Sequence, residues 1–181
     1  MNPQTSSQAP NATPTAERES NLPNEANWIV ETLPYTEDCP ARGFLQLCAD
    51  RRFHQLIQQE FKKDAGLSSR EDYWIHADAG GTPKMAGQRV TPNYCYNQKD
   101  VRLMGWSAHG AGCGGFGETV PDDVIKGDLC KTMQTNVRDY PLAKHFIYFV
   151  TVRKEQGPEQ TVVYRMIAEP GSDIVCTAGA D

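Results

Sequence analysis

The sequence has few of the features that mark membrane, secreted or nucleic-acid-binding proteins. The chain has 181 residues, and no apolar run in it approaches the roughly 18 consecutive residues of a membrane helix in length. The N-terminus lacks the charged and then apolar layout of a signal peptide. Positive charge is also scarce: the chain has 18 Lys and Arg and 23 Asp and Glu, which gives a net charge of −5. The basic residues are scattered and form no stripe on the sequence. We therefore expect a cytoplasmic protein that binds neither nucleic acid nor membrane.

The composition divides the chain into a tail and one domain. Residues 1–26 are almost entirely Pro, Asn, Ser, Thr, Gln, Ala and Glu, which cannot bury enough apolar surface to offset the entropy of ordering. We predict a disordered tail over 1–26 and a single domain over 27–181. The chain is 39% hydrophobic, which is enough to build a core in a domain of this length.

Cysteine is well represented, with six residues at positions 39, 48, 95, 113, 130 and 176. An even number permits three disulfides, but the missing export signal favours a reducing compartment. We therefore expect most of these thiols to be metal ligands, reactive groups or small buried side chains rather than a disulfide framework.

Apolar periodicity predicts five strands and two helices after the tail. The strands are expected at 43–48, 72–77, 101–107, 145–153 and 161–167. The helices are expected at 51–64, ended by Gly66, and at 119–133, with Pro121 and two acids in its first turn. Residues 83–100 contain Pro83, Gly87 and Pro92 and show no helical period, so they are predicted to be a loop.

Alternation of strands and helices favours an α/β fold with a mainly parallel mixed sheet of about five strands and helices on both faces. The last strand should pair antiparallel with the fourth and form one edge. In open sheets of this kind, ligands bind beyond the carboxyl ends of the strands. Three polar or glycine-rich segments follow such ends, at 48–52, 77–82 and 108–115, and they locate the expected site.

Two of these segments carry metal-binding side chains. His109 and Cys113 lie among four glycines, where the backbone can adopt the positive φ angles of a tight turn. Cys48, at the end of the first strand, could supply a third donor. Two thiolates and one imidazole form a known catalytic zinc set that leaves the fourth tetrahedral position open. Cys48, Asp50 and Arg52 would also share one side of the chain if it stayed extended.

These motifs resemble those of the β-class carbonic anhydrases, in which a C-x-D-x-R segment and a later His…Cys-Gly-Gly segment hold zinc. Cys48, Asp50 and Arg52 match the first motif, and residues 76–81 look like a diverged copy of a third. The resemblance covers roughly residues 40–168. The family has the spacing H-x-x-C and a crossover helix before the third strand. Here the spacing between the histidine and the second cysteine is one residue longer. The loop either accommodates the additional residue or displaces one ligand. In addition, no helix is predicted before the third strand.

The resemblance implies a zinc-dependent lyase that hydrates CO2 to bicarbonate through a zinc-bound hydroxide. Asp50 would orient this hydroxide, and Arg52 would keep Asp50 off the metal. It also implies a homodimer or larger homo-oligomer. Hydrolysis of COS or CS2 at the same site is one alternative. Another is a non-catalytic protein that binds bicarbonate or a partner, suggested by the longer spacing and the missing helix.

The other polar residues are expected to have structural roles. Asp78 reads as a turn former. We expect His54, His76 and His145 to be structural or exposed, and Cys95 to pack within a loop.

Overall fold

A computed structural model describes residues 41–81, 89–154 and 158–176. The predicted tail and the first residues of the predicted domain, with Cys39, lie outside the described residues. The boundary between tail and domain therefore stays a prediction.

All five predicted strands are present, with ends within two residues of those expected. They are β1 Gly43–Cys48, β2 Tyr73–Asp78, β3 Leu103–His109, β4 Lys144–Arg153 and β5 Gln160–Ala168. The strands lie in the order β2-β1-β3-β4-β5. The first four are parallel, and β5 runs antiparallel to β4 at the edge. The predicted fold class is confirmed.

The order of the strands fixes the place of the site. The connection that leaves β1 leads to β2 on one side, and the connection that leaves β3 leads to β4 on the other side. The connections that leave the carboxyl ends of β1 and β3 therefore diverge, which is where open sheets of this kind bind ligands. Cys48 and His109 are the last residues of these two strands.

Both predicted helices form. The segment 51–64 is a 3-10 turn, Arg51–Phe53, followed by α1, His54–Ala65. Gly66 ends α1 in the left-handed conformation, with φ of 64°. The helix predicted at 119–133 is α3, Asp122–Asp139, and it runs six residues further because Asn136 and Val137 are also buried. In the described part of the chain, no helix is long and apolar enough to cross a membrane.

The prediction of a loop throughout 83–100 is wrong, because residues Val90–Gln98 form a helix, α2, before β3. Pro92 lies in the first turn of α2, where the backbone nitrogen needs no partner within the helix, so the proline is compatible with it. Only Pro92 and Cys95 of α2 are buried. Such a short helix with so few buried residues has no recognisable apolar period. Pro83 and Gly87 lie outside the described residues.

Helices cover both faces of the sheet, as predicted. On one face α1 packs through Ile57 and Phe61 against Leu45 and Phe146. On the other, α3 packs through Ile125 and Leu129 in a core cluster that also contains residues of β1, β3 and β4. Cys48 and Cys113 belong to this second cluster, so both candidate thiols pack within the core.

Candidate metal centre

The first site segment starts where β1 ends. Cys48 is 4% exposed. The condition of an extended chain as far as Arg52 is not met, because the chain enters the 3-10 turn directly after Asp50. The Asp50 carboxylate caps this turn by accepting a hydrogen bond of 3.0 Å from the Arg52 backbone N–H. Capping, rather than strand alternation, therefore brings the two side chains together.

His109 is held by the sheet and not by the following loop, in contrast to its predicted position. It is the last residue of β3 and pairs in register with Val150 of β4. Its Nδ1 lies 2.9 Å from the Gly110 carbonyl oxygen, so Nδ1–H donates and Nε2 keeps its lone pair. The ring is 1% exposed, and its Nε2 has no hydrogen-bond partner in the structure as described. A buried, unpartnered ring nitrogen of this kind is suited to ligate a metal.

Cys113 follows a turn with two left-handed residues in succession. The φ angles of Ala111 and Gly112 are 53° and 80°. This turn accommodates the additional residue between His109 and Cys113 without moving the cysteine away. Cys113 is fully buried, and its sulfur lies 3.7 Å from that of Cys48.

The three predicted ligands converge on one point. One ligand atom from each of Cys48, His109 and Cys113 lies within 4.8 Å of the others. Two sulfurs at about 2.3 Å from a tetrahedral zinc would be roughly 3.8 Å apart, which matches the separation of the two sulfurs. Two thiols and an imidazole suit zinc and not magnesium or calcium, which prefer oxygen. The residues present therefore fit a zinc ion with three protein ligands.

The electrostatics of this group leave one thiol partly ionised at neutral pH. Burial opposes ionisation of the Cys48 thiol, but the neighbouring His109 and the backbone N–H groups of Asp50 and Gly80 lower its pKa to about 7. Burial and the charge on Cys48 raise the pKa of Cys113. Burial also favours a neutral His109, yet the interaction with Cys48 and the Gly110 carbonyl raises its pKa. A cation placed among these three donors would stabilise both thiolates.

Asp50 and Arg52 form an ion pair beside the three donors. Arg52 Nε donates to Asp50 Oδ2 at 2.8 Å, and Nη2 lies 2.6 Å from the same oxygen. Hydrogen bonds from Arg52 lower the pKa of Asp50 to about 2. The other ends of the guanidinium donate to the carbonyl oxygens of Ala111 and Gly112, each at 2.9 Å. Arg52 thus connects Asp50 to the loop that carries Cys113.

Asp50 is close to the donors but separate from them. Its Oδ2 lies 3.8 Å from His109 Nε2, which is beyond hydrogen-bond distance. The carboxylate is 28% exposed, whereas all three donors are buried. Asp50 therefore lies between the buried donors and solvent.

Two glycines allow close contact between the loops beside the site. A Cβ on Gly81 would lie 2.1 Å from a carbonyl oxygen of β3, and one on Gly115 would lie 2.1 Å from the nitrogen of Gly80. The loops after β2 and β3 pack this closely only because both lack side chains there. The backbone N–H groups of Gly80 and Gly115 lower the pKa values of Cys48 and Cys113, respectively. In the sequence, the Gly-Gly pairs at 80–81 and 114–115 indicate this close approach of the two loops.

The remaining histidines make structural hydrogen bonds, as expected. His54 Nε2 lies 2.6 Å from the Cys48 carbonyl oxygen, and His76 Nδ1 lies 3.0 Å from Gln46 Oε1. His145 is fully buried and bonds to the indole N–H of Trp106. Asp78 closes a turn through its carbonyl oxygen, which accepts from Gly81. None of these four residues belongs to the group of metal donors.

The expectation that the cysteines are free is wrong for two of them, because Cys130 and Cys176 form a disulfide. They lie 46 residues apart, on a helix and on an irregular segment, so no motif pointed to the bond. Among the described residues, Cys48, Cys95 and Cys113 are free and buried. Cys95 lies in the core on α2 rather than in a loop.

Comparisons with known proteins return only distant likenesses. No protein-family model matches the chain, and a search of curated proteins finds no significant match. The chain is similar to the β-carbonic anhydrase isoform I of the protozoan Trichomonas vaginalis, at 14% identity and a TM-score of 0.42, over 74% of this chain and 88% of that one. It is also similar to the β-carbonic anhydrase CafD of the filamentous fungus Aspergillus fumigatus, at 11% identity and a TM-score of 0.37, over 66% and 89% of the two chains. Both proteins are of the class that the motifs resemble, but identities and TM-scores this low do not by themselves assign the chain to that family.

Proposed function

We propose that this protein is a zinc-dependent lyase that hydrates CO2 reversibly to bicarbonate. One observation carries the proposal: three buried donors of the types that zinc prefers converge within 4.8 Å, and an ionised Asp50 is held beside them. Cys48, His109 and Cys113 would hold the metal. Zinc would supply Lewis-acid chemistry, making water acidic enough for hydroxide to be available near neutral pH.

Asp50 has the charge and position to orient the nucleophile. Because its pKa is about 2, Asp50 accepts hydrogen bonds throughout the neutral range. A water or hydroxide beside the three donors can donate to Oδ2, which directs its lone pair toward CO2 in the open side of the site. The exposure of Asp50 at 28% leaves room for a small substrate to approach.

Arg52 restrains the carboxylate. Its guanidinium binds Asp50 Oδ2 through two nitrogens and is fixed by the carbonyl oxygens of Ala111 and Gly112. A carboxylate released from this pair would itself be a good zinc ligand and would exclude water from the fourth position. We therefore assign Arg52 the role of keeping Asp50 available as an acceptor.

The case for a non-catalytic protein of the same fold is weakened. It rested on the missing crossover helix and on the longer spacing from His109 to Cys113. The helix is present as α2, and the longer loop keeps Cys113 within reach of the other donors. Hydrolysis of COS or CS2 uses the same donors and the same nucleophile, and no described contact favours it over CO2 hydration.

We also propose a homodimer or larger homo-oligomer, which light scattering of the purified protein would test. Cytoplasmic location stays a prediction. The disulfide between Cys130 and Cys176 speaks against it, because disulfides persist mainly in oxidising compartments.

The test of function is turnover by protein of known zinc content. CO2 hydration should be measured by stopped flow with a pH indicator between pH 7 and 9, with COS and CS2 as parallel substrates. We expect hydration well above the buffer rate at about one zinc per chain. Full zinc occupancy without CO2 hydration would overturn the proposal, and turnover of COS or CS2 alone would replace it with the hydrolase.

A further inference from the structure

A second concave site lies on the α3 face of the sheet, and no part of the proposed mechanism uses it. A cavity of about 160 Å³, open on one side, is lined by residues of α3, of β4 and β5, and of the C-terminal segment. Its lining shares no residue with the metal donors or with the Asp50–Arg52 pair. The apolar lining residues are Leu129, Met133, Ile147, Phe149, Met166 and Ile174. An apolar cavity of this size, about 150 Å³, is large enough to bind a benzene ring.

One cation at this cavity has no anionic partner among the described residues. Lys126 Nζ lies 4.8 Å from the ring centroid of Tyr164 and 5.7 Å from that of Phe149, but it forms no ion pair with any described residue. In the part of the chain that the structure describes, no Asp or Glu lines the cavity. Arg165 also lines it, but its guanidinium bonds to Glu60 and Asp64. Lys126 is therefore the cation available to an anionic ligand.

One wall of the cavity is irregular chain that the disulfide holds in place. We call residues 169–176, after β5, the C-terminal strap. Ile174 of the strap is 8% exposed, and its carbonyl oxygen accepts a hydrogen bond of 3.0 Å from Gln134 Nε2 on α3. Two residues later, Cys176 is bonded to Cys130, which itself lines the cavity. The strap is thus fixed to α3 on the side of the cavity.

We propose that this cavity binds a small monocarboxylate whose apolar body is about one aromatic ring in size. The ring would be enclosed by Leu129, Met133 and Ile174, and the carboxylate would pair with Lys126. The disulfide would support binding by keeping Ile174 in the wall. The site is independent of metal and of the proposed hydration of CO2.

The probe is benzoate, with benzyl alcohol as its neutral counterpart, added to the full-length, zinc-loaded protein. Methyl signals of 13C-labelled methionine report on the cavity, since Met133 and Met166 both line it. We expect benzoate to shift both signals in a saturable way and to bind more tightly than benzyl alcohol. The same shifts in a Cys48→Ser variant would show that the benzoate does not report on the metal site.

Two variants and one control assign the contacts. Lys126→Met should weaken benzoate binding about fivefold and leave benzyl alcohol unaffected, which is the effect of losing an ion pair of about 1 kcal/mol. Lys131→Met removes an exposed lysine of the same helix and should change neither ligand. Cys176→Ser should weaken both ligands, because it frees the strap. The proposal is overturned by the absence of benzoate-dependent shifts at millimolar concentration, by equal effects of the two lysine variants, or by unchanged affinity in Cys176→Ser.

Discussion

The sulfur atoms of Cys48 and Cys113 lie 3.7 Å apart although 65 residues separate them in the sequence. Cys48 ends β1, and Cys113 follows β3, which is the parallel neighbour of β1. The topology of the sheet therefore places the two thiols together, and the close packing of the loops at Gly80 and Gly115 completes the contact. Two buried thiols this close repel each other when both ionise, so a bound cation would relieve the repulsion.

Replacing Cys48 should remove the metal. Cys48→Ser loses a thiolate ligand, and we expect the purified variant to contain well under one zinc per chain by elemental analysis. Cys95→Ser makes the same chemical change at another buried free thiol and should keep its zinc. X-ray absorption of the wild type should show two sulfur neighbours and one nitrogen neighbour from the protein. A spectrum with oxygen and nitrogen neighbours alone would contradict this ligand set.

The contact between Trp106 and His145 predicts sensitivity to acid. Trp106 Nε1–H donates to His145 Nδ1 at 3.0 Å, so Nε2 carries the proton and donates to the Tyr140 carbonyl oxygen at 3.1 Å. Protonation of His145 Nδ1 would place its N–H opposite the Trp106 N–H, so that two donors would face each other. Burial lowers the pKa of His145 below 6.5 in the folded protein, whereas the unfolded chain keeps its ordinary value. The unfolded state therefore binds more protons below about pH 6.5, and stability is present above this pH and falls below it.

This effect can be isolated by comparing unfolding in the wild type and in His145→Gln. Urea unfolding followed by tryptophan fluorescence should give a free energy of unfolding that falls between pH 7 and pH 5. One histidine contributes a slope of at most about 1.4 kcal/mol per pH unit. His145→Gln should be less stable at pH 8 but should show a smaller slope. An equal slope in both proteins would exclude His145 as the cause.

The sequence contains enough information to predict the sheet because each strand is a short apolar run with turn residues on both sides. It also places Cys48, His109 and Cys113 at one edge, since the carboxyl ends of parallel strands meet there. Helix α2 could not be predicted, because only Pro92 and Cys95 of its nine residues are buried. The disulfide joins Cys130 and Cys176 through a fold that local patterns do not encode. The anchoring of Arg52 on Ala111 and Gly112 likewise depends on a turn that Asp50 caps.

Deletion of residues 1–26 should leave folding and zinc content unchanged. The segment is almost free of large apolar side chains and has little with which to pack. Thermal unfolding of the truncated and full-length proteins should give melting temperatures within about 2 °C of each other, because surface changes that remove no contact are near neutral. A large fall would mean that the tail docks, for instance on another subunit, and light scattering of both proteins would then show whether the oligomer is lost.

The Asp50–Arg52 pair provides the sharpest test of the proposed chemistry. Asp50→Asn should keep zinc, since all three donors remain, but should lose about a hundredfold or more of CO2 hydration, because the amide keeps the shape and lacks the charge. Arg52→Ala should also keep zinc and lose activity, for a different reason. Without the guanidinium, Asp50 Oδ2 is free to move the short distance to the donors and occupy the open metal position.

Arg51→Ala is the matched control. Arg51 is the adjacent exposed arginine, and its guanidinium makes no hydrogen bond or ion pair with a described residue. It should keep both zinc and activity. A crystal structure of Arg52→Ala should show the carboxylate of Asp50 on the metal, whereas that of Asp50→Asn should not show the amide there. If both Asp50→Asn and Arg52→Ala hydrate CO2 as fast as an active wild type, the metal chemistry survives. The role assigned to the pair would then be wrong, because a carboxylate that can be neutralised or released without loss of rate cannot be orienting the nucleophile.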